Sequence, residues 1–370
     1  MVTTSQAAAL LGLGVTSGLI ALLIPIAGRV SLLDHPNERK CHTSPTPIVG
    51  GIAIYLGLVA SFLLADLPLE TLGPLAAGAT LLVVIGFIDD IRPLGYRIRL
   101  VAQCTAAGFL TIWGGLTVDN LGDLFGLGSI SLGILATPFT LFAVVGLINA
   151  VNMLDGLDGL AGGVVIGMLL PVFAYTSLTG IDHLPSATLL AMACVLGFIL
   201  FNYRFPWRDR APVFMGDAGS NLLGFVVAWA VLSLLQQPQS QLPPIALLWL
   251  VAFPVVDALV TMWRRHRKGL SMFSPDCDHV HHILQRAGFS VNATVLLAAG
   301  STALLAVIAI LASLAGTPEP LLFAGFLILL SLHSWFISSA WRFARTVRGM
   351  LAAPDPGLWG RIATYLAKRR

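Results

Sequence analysis

Charge is what this chain has least of. Of its 370 residues only 11% are Asp, Glu, Lys or Arg, where soluble domains carry about 25%. With 56% of residues hydrophobic, that scarcity excludes an ordinary soluble domain and leaves an integral membrane protein. Cysteine is equally thin: Cys41, Cys104, Cys194 and Cys277. Two fall in expected helices and two in expected loops, with no CxxC or Cys/His spacing, so neither a disulfide nor a zinc site is expected. No Lys or Arg precedes the first apolar run, residues 7–27, and Arg29 follows it. A cleaved signal peptide carries its positive residues first, so the run is expected to stay as a helix. Walker and kinase signatures are missing too, which excludes both standard nucleotide-binding modes. Low-complexity tracts, clear repeats and a soluble domain are not found, and no nucleic-acid partner is expected.

What is present is a succession of apolar runs, near 7–27, 48–65, 73–88, 99–115, 132–149, 159–178, 186–202, 219–236, 244–262, 292–313 and 320–341. They predict an all-α, polytopic membrane helix bundle of about eleven transmembrane helices, each near the length that spans hydrocarbon. The connecting segments alternate in charge. One set, with the C-terminal segment, holds all 21 Lys and Arg; the other set holds none and is mildly acidic. The positive-inside rule puts the basic set in the cytoplasm, the N-terminus outside (periplasmic) and the C-terminus inside. Residues 1–341 read as a single transmembrane domain, and 342–370 as a basic interfacial tail on an anionic leaflet. Residues 116–131 read as a small hairpin, a membrane-surface segment or a spacer.

The polar motifs all fall in the basic set. In order they are DHPNERKCHTSPTPIVGG (34–51), GFIDDIRPLG (86–95), NAVNMLDGLDGLAGG (149–163), FNYRFPWRDRAPVFMGDAGSN (201–221) and RRHRKGLSMFSPDCDHVHHILQRAGF (264–289). Asp89 and Asp90 close an apolar helix. Adjacent carboxylates at a membrane interface stay charged only beside a cation; otherwise one becomes a candidate base. The bland reading is a polar helix stop. Asp155 and Asp158, three apart, would share a face on a helical turn with Asn152 one turn before, and Asn149 opens the same stretch. A glycine turn capped by one Asp explains that motif poorly. Gly216 and Gly219 flank Asp217, with Ser220 and Asn221 as N-cap candidates, and a helix N-terminus there suits phosphate. His279, His281, His282 and Arg286 lie beside the basic run 264–268. Neighbouring arginines would repel a soft metal, so phosphate binding is the better reading. Asp257, inside the ninth run, reads as a functional acid or as the partner of Arg264. Oxygen-rich carboxylates and amides suit Mg2+ or Mn2+, and cations with Mg2+ are what phosphoryl transfer requires.

As an ordered set, these motifs resemble the polyprenyl-phosphate N-acetylhexosamine-1-phosphate transferase superfamily, over roughly residues 30–290. Within it they are most similar to the bacterial branch (glycosyltransferase family 4 type) that pairs undecaprenyl phosphate with GlcNAc-1-phosphate. The peptidoglycan branch fits less well, because its histidines are contiguous whereas Val280 interrupts them here. The resemblance implies transfer of GlcNAc-1-phosphate from UDP-GlcNAc to undecaprenyl phosphate, giving UMP, at the start of O-antigen or another surface glycan. It implies Mg2+, with Mn2+ as a substitute, and a site facing the cytoplasm of the bacterial inner membrane. It is compatible with a homodimer. By the same resemblance Asp217 and Asn152 are the metal ligands. Asp89 contacts or deprotonates the lipid phosphate, and Asp90 supports the metal–phosphate site. Asp155 and Asp158 hold the uridine side or orient the glycine loop. His279, His281 and His282 face the diphosphate or sugar. Arg39, Lys40, His42, Asn149, Gly216 and Arg286 are the remaining substrate contacts. One departure is Cys277, where related enzymes usually carry Arg. The rivals are the same transfer with another UDP-N-acetylhexosamine, a membrane transporter, and a non-catalytic scaffold. Transporters tend to set polar groups near the midplane, whereas these acids sit at helix ends on one side.

Overall fold

The computed structural model describes residues 3–29, 32–34, 45–65, 67–269 and 279–339. The expectations for Arg39, Lys40, His42, Cys41, Cys277 and the tail 342–370 lie outside the described residues. The described chain is helical, with one two-stranded ribbon. The order is α1 (Thr4–Ala27), β1 (Leu33–Asp34), β2 (Thr46–Pro47), α2 (Gly50–Leu64), α3 (Leu69–Ile91) and α4 (Tyr96–Gly108). A π-turn, Phe109–Trp113, extends α4. Then come α5 (Ala136–Leu154), α6 (Leu160–Leu178), α7 (Leu184–Asn202), α8 (Gly216–Leu235), α9 (Pro244–Leu250), α10 (Ala252–Arg267), α11 (Val280–Ala287), α12 (Val291–Leu314) and α13 (Glu319–Ser338).

Every apolar run became helix, yet the number of clear spans differs from eleven. Eight of the described helices are long and apolar enough to cross a membrane. The expected ninth helix is two, α9 and α10, bent by 81° at Val251 and making a ninth span if counted as one. Pro254 explains the break: its ring has no N–H to give and clashes with a carbonyl one turn back, so the helix restarts shortly before it. Helix α2 has 15 residues, about 22 Å of rise, short of the roughly 30 Å hydrocarbon core.

Helix α8 is the axis of the bundle. Of its apolar window 89% is buried, against 17% for α13. A helix that is hydrophobic all round belongs in a core, and one exposed in apolar residues faces lipid. Helices α2, α3, α5 and α6 surround α8. Two glycines allow backbone-to-backbone approach at its N-terminus: a Cβ on Gly86 would lie 2.5 Å from Ala218 Cα, and one on Gly51 would meet the backbone of Gly219.

The helices alternate between two ends. At one, Ser5 meets Ser186, Val118 N donates to Thr140, and Gln236 donates to the Thr117 carbonyl. Residues 119–132 form a hairpin there, with Leu121 N bonded to Ile130 O and Leu132 N to Asp119 O. Asp123 N docks that hairpin on Glu319 at the start of α13. The other end gathers the C-termini of α3, α5, α7 and α10, the N-termini of α4, α6, α8 and α12, and the ribbon. Thr46 pairs with Asp34, and Phe214 N bonds to Pro47 O. The ribbon is thus tied to Phe214, in the segment that leads into α8.

Candidate active site

The acids gather at this second end. Asp89 and Asp90 sit in the last turn of α3, where the helix dipole disfavours negative charge. Each finds compensation elsewhere. Asp89 accepts the Leu94 amide through Oδ1 and Arg99 Nη1 through Oδ2 at 3.2 Å. Asp90 accepts the amides of Asp217 at 2.8 Å and Ala218 at 3.2 Å. These are free N–H groups at the start of α8, so Asp90 is the anionic cap of that helix. The sequence suggested phosphate for those amides; Asp90 occupies two of them. Ser220 and Asn221, expected as N-caps, are inside α8, whose cap position is Met215 with no side-chain bond. Gly216 is required before them. Its φ is +74°, and a Cβ there would strike Ile48 and the Asp90 carboxylate.

Asp217 is the meeting point. Its Oδ1 accepts Asn152 Nδ2 at 2.6 Å, while Asn152 also donates to Ser220 Oγ at 2.8 Å. Its Oδ2 lies 3.7 Å from Arg99 Nη1. Arg99 Nη1 thus stands between the carboxylates of Asp89 and Asp217. Behind this pair runs an amide relay: Asn149 Nδ2 donates to Gln103 Oε1 at 2.8 Å, and Gln103 Nε2 to Asn221 Oδ1 at 3.1 Å. Asn149 therefore faces Gln103 and the Val145 carbonyl.

The expected helical face for Asp155 and Asp158 is corrected by the structure. Helix α5 ends at Leu154 with Asp155 as C-cap, and residues 155–159 form a turn before α6. The two acids do different work. Asp158 accepts Arg204 Nε at 2.7 Å and the Ala211 amide at 3.0 Å, which ties the turn to the 203–215 loop. Asp155 has no such partner among the described residues. Burial pushes its carboxyl up to about 8, helped by the charges of Asp217, Asp90 and Asp158.

The histidines form a stack beside this turn. His279 and His281 are parallel at 5.6 Å, and His281 and His282 lie 4.2 Å apart. A Cβ on Gly156 would lie 3.0 Å from His281 Nε2, so the glycine lets the ring reach the turn. Both nitrogens of buried His281 lack hydrogen-bond partners among the described residues. Burial and the neighbouring His282 and His279 hold its imidazole down at about 3, so the ring is neutral. His279 instead turns Nδ1 onto Asp257 Oδ2 at 2.7 Å. Asp257 also accepts His333 Nε2 at 3.1 Å; of the two readings, functional acid or partner of Arg264, the second is not seen, since its described side-chain partners are these histidines. Arg286 is exposed in the last turn of α11.

No group of three His, Cys, Asp or Glu side chains forms a ready metal cage among the described residues. Magnesium does not ask for one. It keeps several waters and takes one or two carboxylates plus substrate phosphates. The donors at hand are hard oxygens on Asp89, Asp217, Asn152 and Asp155. The carboxylates of Asp89 and Asp217 share Arg99 as a cationic partner. That donor set and its surplus negative charge fit a divalent cation.

Sequence reasoning missed Arg99 and Gln103 as site residues. They are four apart, hence on one face of α4, and two polar side chains so spaced beside an apolar run were the available signal. It also missed Asn202, which accepts the Gly159 amide at 2.6 Å and holds the Val213 carbonyl at 2.8 Å.

The sequence profile of glycosyl transferase family 4 matches residues 72–235, the span from α3 to α8 that carries all the acids around Asp217. Similar curated proteins include the undecaprenyl-phosphate alpha-N-acetylglucosaminyl 1-phosphate transferase of Escherichia coli (strain K12). It is 38% identical over 331 residues, 87% of this chain and 88% of the relative. The proteins of the same description from Salmonella typhimurium and Yersinia pestis are 36% and 37% identical. They cover 90% and 87% of this chain, and 91% and 88% of their own lengths.

Proposed function

The chain belongs to glycosyl transferase family 4, as a multi-pass membrane transferase, and from that premise we propose that it moves GlcNAc-1-phosphate from UDP-GlcNAc to undecaprenyl phosphate. A lipid-phosphate oxygen bonds to the sugar-bearing phosphorus, the bond to the bridging oxygen breaks, and UMP leaves with that oxygen. The product is undecaprenyl-diphosphate-GlcNAc, the first intermediate of an O-antigen or other surface glycan. The observation that carries the reading is the convergence of α3, α4, α5 and α8 on Asp217, where Asn152 and Arg99 meet one carboxylate and Arg99 links it to Asp89.

The chemistry asks for little more. A phosphate is already an oxygen nucleophile, so positioning and charge relief dominate. Arg99 stands between two carboxylates and can turn to incoming phosphate. In this reading Asp89 contacts or deprotonates the lipid phosphate, and Asp90, which accepts the first amides of α8, keeps Asp217 in register. Asp217 and Asn152 would hold Mg2+ or Mn2+, which supplies charge neutralisation to the diphosphate. Neutral His281 offers one donor and one acceptor to the sugar or diphosphate. Arg39, Lys40 and His42 are further candidates for phosphate contact. The site faces the cytoplasm of a bacterial inner membrane, where the nucleotide sugar is found, and the prenyl tail stays between helices.

Purified protein in detergent is expected to release UMP only when undecaprenyl phosphate, UDP-GlcNAc and Mg2+ are all present. EDTA should abolish release, and Asp217→Asn should lower it by about 100-fold or more. Comparing UDP-GlcNAc with UDP-GalNAc tests the sugar. Well-folded protein that is silent with every UDP-N-acetylhexosamine would sink the reading.

A further inference from the structure

Asp257 is buried to 1% exposure in α10, and a carboxylate so placed needs partners to be tolerable. It has three. Oδ2 accepts His279 Nδ1 at 2.7 Å, and Oδ1 accepts the Val280 amide and His333 Nε2, each at 3.1 Å. Helix α11 has no side-chain cap of its own: His279 occupies the cap position with an extended backbone and makes no capping bond. Asp257, from a different helix, caps it instead. An ionised carboxylate only accepts, so His279 carries hydrogen at Nδ1 and His333 at Nε2. Binding through Nδ1 leaves His279 Nε2 free of Asp257. The ring then stacks parallel on His281, whose Nε2 reaches Gly156 in the acidic turn. A contiguous line of contacts thus runs from the lipid-facing helix α13, through Asp257, to the site.

We propose that Asp257 is a positioning residue of the transfer reaction: it holds His279 in the Nδ1–H form, with His333 as its second donor, and so sets the histidine stack over the 155–159 turn. The inference rests on the transferase reading above. The arrangement follows a general rule, that a histidine's working nitrogen is set by what the other nitrogen bonds. His333 gives α13, otherwise a peripheral helix, a direct hold on that setting.

The test is Asp257→Asn, which keeps the shape but presents a donor to His279 Nδ1 and drives the hydrogen to Nε2. In detergent, with undecaprenyl phosphate, UDP-GlcNAc and Mg2+, kcat for UMP release is expected to fall about 10- to 100-fold. KM for either substrate should change by less than about threefold. Spectra of protein labelled with ring-15N histidine, assigned by His279→Gln, should show Nδ1–H in the wild type and Nε2–H in Asp257→Asn. His333→Gln keeps an amide donor and should retain kcat within about threefold. A wild type without UMP release faults the transferase reading, whereas the His279 spectrum reads the dyad independently of turnover. With an active wild type, four outcomes overturn the positioning role. They are unchanged kcat in Asp257→Asn, an Nε2–H signal for wild-type His279, a tautomer that does not respond to the substitution, and equal losses in Asp257→Asn and His333→Gln.

Discussion

Asp155 shows how much one residue's surroundings change its chemistry. It and Asp158 look alike in sequence, yet Asp158 spends its carboxylate on Arg204 and Ala211, while burial and three other acids lift Asp155 to about 8. A carboxyl whose folded value exceeds its unfolded value near 4 binds more protons when folded, so stability falls as pH rises between the two values. Metal-free protein should therefore melt at progressively lower temperature from about pH 5 to about pH 8.5. Asp155→Asn should flatten that slope, matching the wild type at the acid end and exceeding it at the alkaline end. Melting curves of the two proteins across that range decide it, and parallel slopes would discard the desolvation account. The acids themselves were legible in the sequence, because polar groups at the ends of apolar runs stand out. Their partners were not: Arg99 and Asp217 meet across 118 residues, and nothing local marks the pair. The double use of Asp90, as site acid and as cap of α8, was hidden for the same reason.

At the scale of elements, hydropathy found every long helical region because lipid and core select the same apolar residues, but it missed the short polar helix α11, which lies between two apolar runs. It could not find the 81° bend between α9 and α10, since apolar composition runs straight through Val251. Pro254 marks the place, but proline alone is ambiguous here: Pro171 lies inside α6 without breaking it. Close helix approach is similarly invisible until the partner is known. Gly86 brings α3 against α8, and its Cβ would fall 2.5 Å from Ala218 Cα and 2.6 Å from Ala218 N. Both are backbone atoms and cannot swing aside. Gly86→Ala should cost about 1–3 kcal/mol, seen as a lower melting temperature. Pushing α8 away also loosens the Asp90–Asp217 register, so activity should fall further than stability alone explains. Gly14→Ala is the control, because nothing lies within 4 Å of a Cβ there. If both substitutions behave alike, the tight α3–α8 approach is not what sets the site.

For the whole molecule, the two ends of the bundle carry the argument. The hairpin end holds Asp119, Asp123, Asp182 and Glu319 and, among the described residues, no Lys or Arg. The site end holds all the described basic side chains, Arg99 and Arg204 among them, and the exposed Trp207. Such asymmetry orients membrane proteins with the basic end in the cytoplasm, and a nucleotide sugar can meet a membrane-bound phosphate only there. The path crosses an odd number of times if α2, α4 with its π-turn, and the bent α9–α10 pair each count as one crossing. The transferase reading then predicts the start of α1 outside and the described end of α13 inside. Two single-cysteine proteins, with the native cysteines replaced, test this. Ser129→Cys at the hairpin should react with a membrane-impermeant maleimide in cells whose outer membrane alone is opened. Asp209→Cys, in the loop beside the site, should react only after the inner membrane is broken. The opposite pattern would place the acidic site on the side without nucleotide sugar, and the transferase mechanism could not operate in that orientation.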